Sequence, residues 1–261
     1  MRFIQHKAEA YWFYRVVSLG YDRFINPLFW TEAMRDEALA LAALDRPDLD
    51  VADVGAGTGF TTAGIVARVS PERVTMIDQS PHQLARAKAK PALEAVRKEI
   101  GDAEAIPLPT DAVDRYVSAG SIEYWPDPQR AIAEAYRVVR PGGVALIVGP
   151  LRRTHPLARG LSDAWMLFPS SDDYAAWMRR AGFADLRRVA LAPPWWRADW
   201  DDYGVAIATR RRSVNPARRI HAAYSSLDGN SIHASDSPRA SGWVRRSGPT
   251  ISATPPGRTT R

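Results

Sequence analysis

Residues able to do chemistry gather in the first half of the chain, each group at the end of a short apolar run. In "VADVGAGTGF" (51 to 60), Asp53 is followed at alternate positions by Gly55, Gly57 and Gly59. Glycines so spaced bend the main chain sharply and let a ligand approach the backbone, because no Cβ stands in the way. The N–H groups of such a turn, with the start of the helix behind it, favour a negative group such as a carboxylate. A second run ends in Asp78 and Gln79, 23 residues past Gly55, close to the offset of about 20 at which an acid takes a ribose hydroxyl. Gly101-Asp102-Ala103 offers a carboxylate and a main-chain N–H to an adenine edge. "SAGSIEYWPDP" sets Ser118 and other small residues where a ligand could lie against backbone, then Glu123, Tyr124 and Trp125. A dinucleotide turn needs its third glycine at 60, where this chain has Phe60.

These groups need elements to bring them together. "VADV", "RVTMID" (73 to 78), "DRYVSAG" (114 to 120) and "GGVALIVGP" (142 to 150) are short and mostly apolar, as strands covered on both faces are, and a weaker strand spans roughly Val96 to Ile100. "SPHQLARAKAK" reads as a helix with Ser80 as N-cap, Pro81 at the first position and Gln83 closing a capping box. "DPQRAIAEAYRVVRPGG" repeats the device at Asp127 and Pro128 and stops at Pro141 and Gly142. The alternation predicts an α/β fold, a doubly wound and mainly parallel sheet, with ligands beyond the carboxyl ends of the strands. Helix, Gly182 and an edge strand follow in "DDYAAWMRRAGFADLRRVAL", and "VAIATR" (205 to 210) reads as the last strand. The expected organisation is a helical cap over 1–50, a cofactor-binding core over 51–150, a substrate and edge-strand region over 151–209, and a disordered basic tail over 210–261.

Composition removes several classes. With no cysteine there is no disulfide, thiolate metal site or thiol nucleophile, and no spaced histidine and carboxylate set suggests a metal. No apolar run approaches the roughly 18 residues of a spanning helix. The start reads as mature protein, since Glu9, Asp22, Glu32, Asp36 and Glu37 fall within the first 37 residues. From Arg210 onward stand ten arginines and two acids, so the remaining 209 residues carry −2 of the chain's net +6. The folded part is close to neutral and predicts no nucleic-acid partner; the tail reads as a solvated extension rather than a specific anion-binding segment.

An acid that reads ribose suits a dinucleotide or S-adenosylmethionine. The pattern D-x-G-x-G-x-G at Asp53, Gly55, Gly57 and Gly59, with Asp78, "GDAEAIP" and "VVRPGG" in order, resembles the class I S-adenosylmethionine-dependent methyltransferases. More specific segments, "MRFIQHKAEAYWFYR", "INPLFWTEAMRDEAL", "DQSPHQLARAKAK", "DRYVSAGSIEYWPDPQR" and "DAWMLFP", are similar to the plastid methyltransferases of 2-methyl-6-phytyl- and 2-methyl-6-solanesyl-benzoquinol, over about residues 1 to 209. The resemblance implies S-adenosylmethionine as cofactor, held by Asp53, Gly55, Gly57, Gly59, Asp78, Gln79, Asp102, Ala103 and Ser118. It also implies a prenylquinol substrate, a part in making tocopherol and plastoquinone, and attachment to a membrane surface, the chloroplast inner envelope. Members of that family end in a hydrophobic anchor and often begin with a transit peptide; here residues 211 to 261 are polar and basic and the start is bare.

Methylating a ring carbon of a quinol requires a hydroxyl to lose its proton, and an unperturbed phenol titrates at about 10. Glu123 and His155 are the expected catalytic bases, with His82 and His6 as weaker alternatives. Trp12, Tyr124 and Trp125 are the expected substrate contacts. Trp12 belongs to an aromatic-rich start that either covers a prenyl chain or simply packs on the sheet. Trp165 to Pro169 reads as core, and Trp195 and Trp196 as a rim. The remaining alternatives are an O-methyltransferase of another small aromatic, a non-catalytic S-adenosylmethionine-binding protein at a membrane, and a dinucleotide oxidoreductase.

Overall fold

The computed structural model describes residues 29–154, 159–160, 167–197 and 202–213. Trp12, His6, His155, the first 28 residues of the expected cap and the tail from 214 onward lie outside the described residues. In chain order come α1 (Glu32–Ala40), β1 (Val51–Val54), α2 (Phe60–Val66), β2 (Val74–Asp78), α3 (Pro81–Lys88), β3 (Arg97–Ile100), β4 (Val113–Ala119), α4 (Pro128–Val138), β5 (Val139–Pro150), α5 (Ser171–Ala181), β6 (Phe183–Leu191) and β7 (Gly204–Arg211).

Seven strands form one sheet of order β3-β2-β1-β4-β5-β7-β6. β1 pairs in parallel with β2 on one side and β4 on the other, and all four of its residues are buried. That explains why the run is apolar apart from Asp53, itself buried: a strand bonded and covered on both sides has no solvent face. The chain winds outward from β1 to β3 and returns to β4, so β1 and β4 flank the switch point where a parallel sheet opens a crevice. Each face is covered by its own apolar layer, one built on Leu39, Ile65, Met76 and Leu146, the other on Ile77, Tyr116, Ile132 and Ile147.

β7 inserts antiparallel between β5 and β6. Its N-terminal end therefore lies at the edge where the parallel strands have their carboxyl ends: Gly204 pairs with Pro150. β7 also runs to Arg211, past the expected end of the fold. Arg211 is a structural residue, with Nη1 donating to Asp111 Oδ1 at 2.6 Å and to the Val139 carbonyl at 2.6 Å. Its guanidinium lies 4.6 Å over the Tyr136 ring.

The helix expected to stop at Pro141 ends three residues earlier, at Val138. Val139 is already extended, consistent with the bias of the residues leading into a proline away from helix. A register irregularity between β4 and β5 absorbs the turn at Gly142. There Arg140 Nη1 bonds Asp50 Oδ2 and Asp114 Oδ2, both at 2.9 Å, while Asp114 Oδ2 also accepts the Asp50 N–H at 3.0 Å. That cluster ties the entrances of β1, β4 and β5 together, on the edge opposite the glycine turn.

Gly59 and Gly57 separate two costs of placing a side chain in this turn. A Cβ on Gly59 (φ 84°) would collide with Leu93, whereas a Cβ on Gly57 (φ 56°) meets nothing within 4 Å. Gly57→Ala should cost the left-handed penalty of about 1–2 kcal/mol, and Gly59→Ala about 1–3 kcal/mol more from overpacking. Urea unfolding of the two variants checks that order.

Candidate active site

The loops after β1, β2, β3 and β4 meet at the carboxyl edge around a cavity of about 440 Å³. Gly55 to Thr58, Asp78 to Ser80, Gly101 to Ala103, Gly120, Ser121, Glu123, Tyr124 and Trp125 all line it. Most of the groups that the sequence scatters are thus brought to one place.

Asp78 organises the polar half. Its Oδ2 accepts the Gly57 N–H and its Oδ1 the Ser80 N–H, both at 2.8 Å. Burial raises the Asp78 pKa, and the two N–H groups pull it back down. The remaining N–H groups of the glycine turn are largely engaged too: Gly55 and Ala56 donate to the Ile77 carbonyl at 2.8 and 3.2 Å, and Gly59 to the Ala56 carbonyl at 2.9 Å. The expectation that this turn offers its N–H groups to an anion is corrected accordingly. The donors hold the turn against β2, and α2, at seven residues, adds little dipole.

The loop after β3, expected to read an adenine edge, is pinned on both sides. Gly101 N–H donates to the Asp78 carbonyl at 3.1 Å, and Asp102 Oδ1 accepts the Glu104 N–H at 3.0 Å. Buried Glu104 accepts the Asp127 N–H at 2.9 Å, and Arg130 Nε donates to the Glu104 carbonyl at 3.0 Å. Gln79 and Ala103 stand on the cavity wall as expected.

Three expected cofactor residues lie behind that wall. Asp53 is 1% exposed and accepts the Thr62 hydroxyl at 2.6 Å; burial pushes its pKa up to about 7, opposed by the Thr62 bond and aided by the Asp78 charge. Gly59 is the N-cap of α2 and faces Leu93. Ser118 is buried inside β4. None of the three lines the cavity.

The capping box at Ser80 is half formed. Ser80 Oγ accepts the Gln83 N–H at 3.4 Å, but Gln83 Oε1 has no partner, and Gln83 lines the cavity. Buried and unpartnered atoms on other lining residues are Trp30 Nε1 and Glu123 Oε2. A buried polar atom without a partner costs about 1–3 kcal/mol, so three on one cavity describe a site shaped for a polar ligand. The room beside Gly57, where a Cβ would meet nothing, is of the same kind.

The other half is aromatic. Phe29, Trp195, Trp196 and Tyr203 meet edge to face, with centroids 5.6 Å apart for Phe29–Trp195 and 5.1 Å for Trp196–Tyr203. Tyr203 OH donates to the Phe29 carbonyl at 3.0 Å. Phe29 and Trp195 are 45% and 44% exposed, so the cluster forms a mouth, as the rim reading of Trp195 and Trp196 expects. Phe168, read as core, reaches the cavity instead. Arg153 lies under this roof, its guanidinium 4.6 Å from the Trp196 ring and 5.6 Å from the Tyr203 ring.

Glu123 sits in the 3₁₀ turn Ile122–Tyr124. Burial raises its pKa to about 7, and only a bond from its own main chain opposes the shift. Trp125 is buried and donates Nε1–H to Ser121 Oγ at 3.0 Å, while Tyr124 is half-buried on the wall. Gln83, Arg153 and Tyr203 are among the lining residues that sequence reasoning missed. Arg153 had a signal, three residues past the end of β5, but Tyr203 needed the antiparallel insertion of β7. No cluster of metal-ligating residues occurs among the described residues.

Residues 52–147 match the methyltransferase domain family. The chain is 59% identical over 196 residues to the chloroplastic 2-methyl-6-phytyl-1,4-hydroquinone methyltransferase 2 of Oryza sativa subsp. japonica, covering 75% of this chain and 56% of that protein. It is 58% identical over 216 residues to the chloroplastic 2-methyl-6-phytyl-1,4-hydroquinone methyltransferase of Arabidopsis thaliana, covering 83% of this chain and 64% of that one. The matched part thus spans roughly three-fifths of these curated relatives. The solved geranyl diphosphate C-methyltransferase of Streptomyces coelicolor A3(2) shares the fold, with a TM-score of 0.60 at 15% identity over 69% of this chain and 77% of that one. The sheet has the fold of the class I methyltransferases, residues 52–147 match the methyltransferase domain, and over three-quarters or more of its own length the chain is similar to the plant 2-methyl-6-phytyl-1,4-hydroquinone methyltransferases.

Proposed function

We propose that the protein transfers a methyl group from S-adenosylmethionine to a ring carbon of a prenylated benzoquinol, 2-methyl-6-phytyl- or 2-methyl-6-solanesyl-benzoquinol, in tocopherol and plastoquinone synthesis. The observation that carries this reading is one cavity with two unlike halves. Main chain, Asp78, Gln79 and Asp102 form a polar half, and an aromatic half holds a carboxylate whose pKa is near 7. The names of the curated relatives supply the substrate class.

Asp78 fits the ribose, Gly101 to Ala103 the adenine edge, and Gln79, Gln83 and the opening beside Gly57 the rest of the donor. Bound there, S-adenosylmethionine supplies an electrophilic methyl on a sulfonium. The chain's own residues prepare the acceptor. Every unsubstituted carbon of a 1,4-quinol adjoins a carbon bearing a hydroxyl, so removing that proton activates the carbon to be methylated. Glu123, half-buried on the wall with its Oε2 buried and unpartnered, is the base. The aromatic half excludes water from the ring and holds it in place, a contribution of up to about 7–11 kcal/mol in well-oriented systems.

The prenyl chain leaves through the mouth at Phe29 and Trp195. Such a substrate is dissolved in lipid, which places the working protein at a membrane surface, the chloroplast inner envelope in this reading. Among the described residues no helix is long and apolar enough to cross a membrane, so the contact assigned to them is a peripheral one.

Three outcomes test this reading. Incubation with labelled donor and each prenylquinol should yield ring-methylated product by mass spectrometry, with a rate that rises with pH through about 7 and falls about 10²–10⁴-fold in Glu123→Gln. Glu123 binds its proton more tightly folded than unfolded, so its contribution to stability is complete below about 4.5 and lost as pH rises through about 7. Glu123→Gln should therefore melt above wild type at pH 8 and show no such gain at pH 4, by calorimetry. Asp78→Asn, which sets an amide NH₂ against a main-chain N–H, should weaken donor binding at least tenfold by titration calorimetry, the loss of about 1.4 kcal/mol or more.

A further inference from the structure

We infer that Arg153 is the oxyanion-binding residue of the aromatic half, holding the quinol oxygen once its proton has gone. The inference rests on the function proposed above and adds a residue to it. Among the described lining residues, Arg153 is the sole lysine, arginine or histidine; the other charged ones are Asp78, Asp102 and Glu123. Asp78 and Asp102 belong to the polar half. Glu123 and Arg153 are then the charged pair left to meet a ring.

The chemistry needs both. A phenol at about 10 facing a carboxylate near 7 gives up its proton to only about one part in a thousand. Taking the phenol out of water raises its pKa further. An opposite charge within about 4–6 Å lowers the pKa of an acid by about 1–3 units, which closes most of that gap. In the step itself the O–H bond breaks, the proton passes to the Glu123 carboxylate and the bonding pair stays on the quinol oxygen. Arg153 remains protonated throughout, as a guanidinium does in proteins.

Arg153 is built to stay where it is. Its guanidinium lies against two ring faces, Trp196 and Tyr203, and Nη1 donates to the Asp202 carbonyl at 3.2 Å. Neighbouring backbone is fixed as well: Leu151 N–H donates to the Tyr203 carbonyl at 3.2 Å and Arg152 N–H to the Pro169 carbonyl at 3.0 Å. Burial raises the Tyr203 pKa to about 12, a shift that Arg153 opposes and Glu123 adds to. A cation held in advance needs no reorganisation when the oxygen becomes negative.

The experiment uses the full chain and 2-methyl-4-nitrophenol, whose absorbance reports its own ionisation. Wild-type protein should lower the pKa of the bound phenol by one unit or more; Arg153→Met should abolish that shift, and Arg153→Lys should keep part of it. Donor affinity, measured by calorimetry, should be the same in all three and shows that the variants are folded. With prenylquinols, Arg153→Met should lose about 10²–10³ in single-turnover rate, and the loss should shrink with fluorinated, more acidic quinols. Equal phenol pKa on wild type and both variants, or a rate loss indifferent to quinol acidity, overturns the assignment. If Arg153 lowers the phenol pKa but no prenylquinol is methylated, the substrate reading fails and the oxyanion site stands.

Discussion

Two hydrogen bonds to one carboxylate set the geometry on which the rest depends. Asp78 ends β2 and receives the Gly57 N–H from the turn after β1 and the Ser80 N–H from the start of α3. The carboxylate thereby fixes three elements at the point where a nucleoside would lie. Each of its oxygens still has a lone pair for a ribose hydroxyl. The glycine turn is presented to a ligand as a surface already shaped, its donors spent on β2 and Asp78. This inverts the usual picture of a glycine loop cradling an anion by its N–H groups. The glycines here serve curvature and clearance.

The aromatic half works on a different principle. Its rings remove water, and Glu123 Oε2 is left without a partner there, so the Glu123 charge acts in a setting that screens it little. Glu123 illustrates the consequence. With burial raising its pKa and little to offset the shift, it is matched in basicity to a proton transfer near neutral pH. A salt bridge at that position would hold the carboxylate ionised and make it a poorer base. The same burial costs stability above neutral pH, the usual exchange at a functional site.

How much of this was legible follows the range of the forces involved. The order of strands and helices, the N-caps at Ser80 and Asp127, and the convergence of Gly55, Asp78, Asp102 and Glu123 were readable, because each depends on local pattern plus one topological rule. Orientation of side chains was not. Asp53 and Ser118 lie in strands, where successive residues face opposite sides, and the pattern around them is apolar on both faces; nothing local says which polar residue points to a ligand. Gln83 satisfied a capping pattern whose second half the structure leaves unmade. Tyr203 and Arg153 are about fifty residues apart and meet only because β7 enters antiparallel beside β5. That pairing is long-range and leaves no mark in either segment.

The two halves are coupled through one close contact. A Cβ on Gly55 would collide with Ser121, so the glycine turn and the loop after β4 touch backbone to side chain at the switch point. Ser121 Oγ in turn accepts Trp125 Nε1–H at 3.0 Å, which locks the indole into the wall and sets the 3₁₀ turn that carries Glu123 between them. Gly55 is therefore required by the substrate side as much as by the donor side. Widening that contact by a single methyl group would move Ser121, and with it the Trp125 anchor and the direction of Glu123. In the proposed reaction a ring carbon must reach a methyl group and a base the adjacent oxygen in the same bound state, and a shared wall meets both demands at once. This accounts for a tightly spaced glycine at a position whose own N–H is bonded to the Ile77 carbonyl.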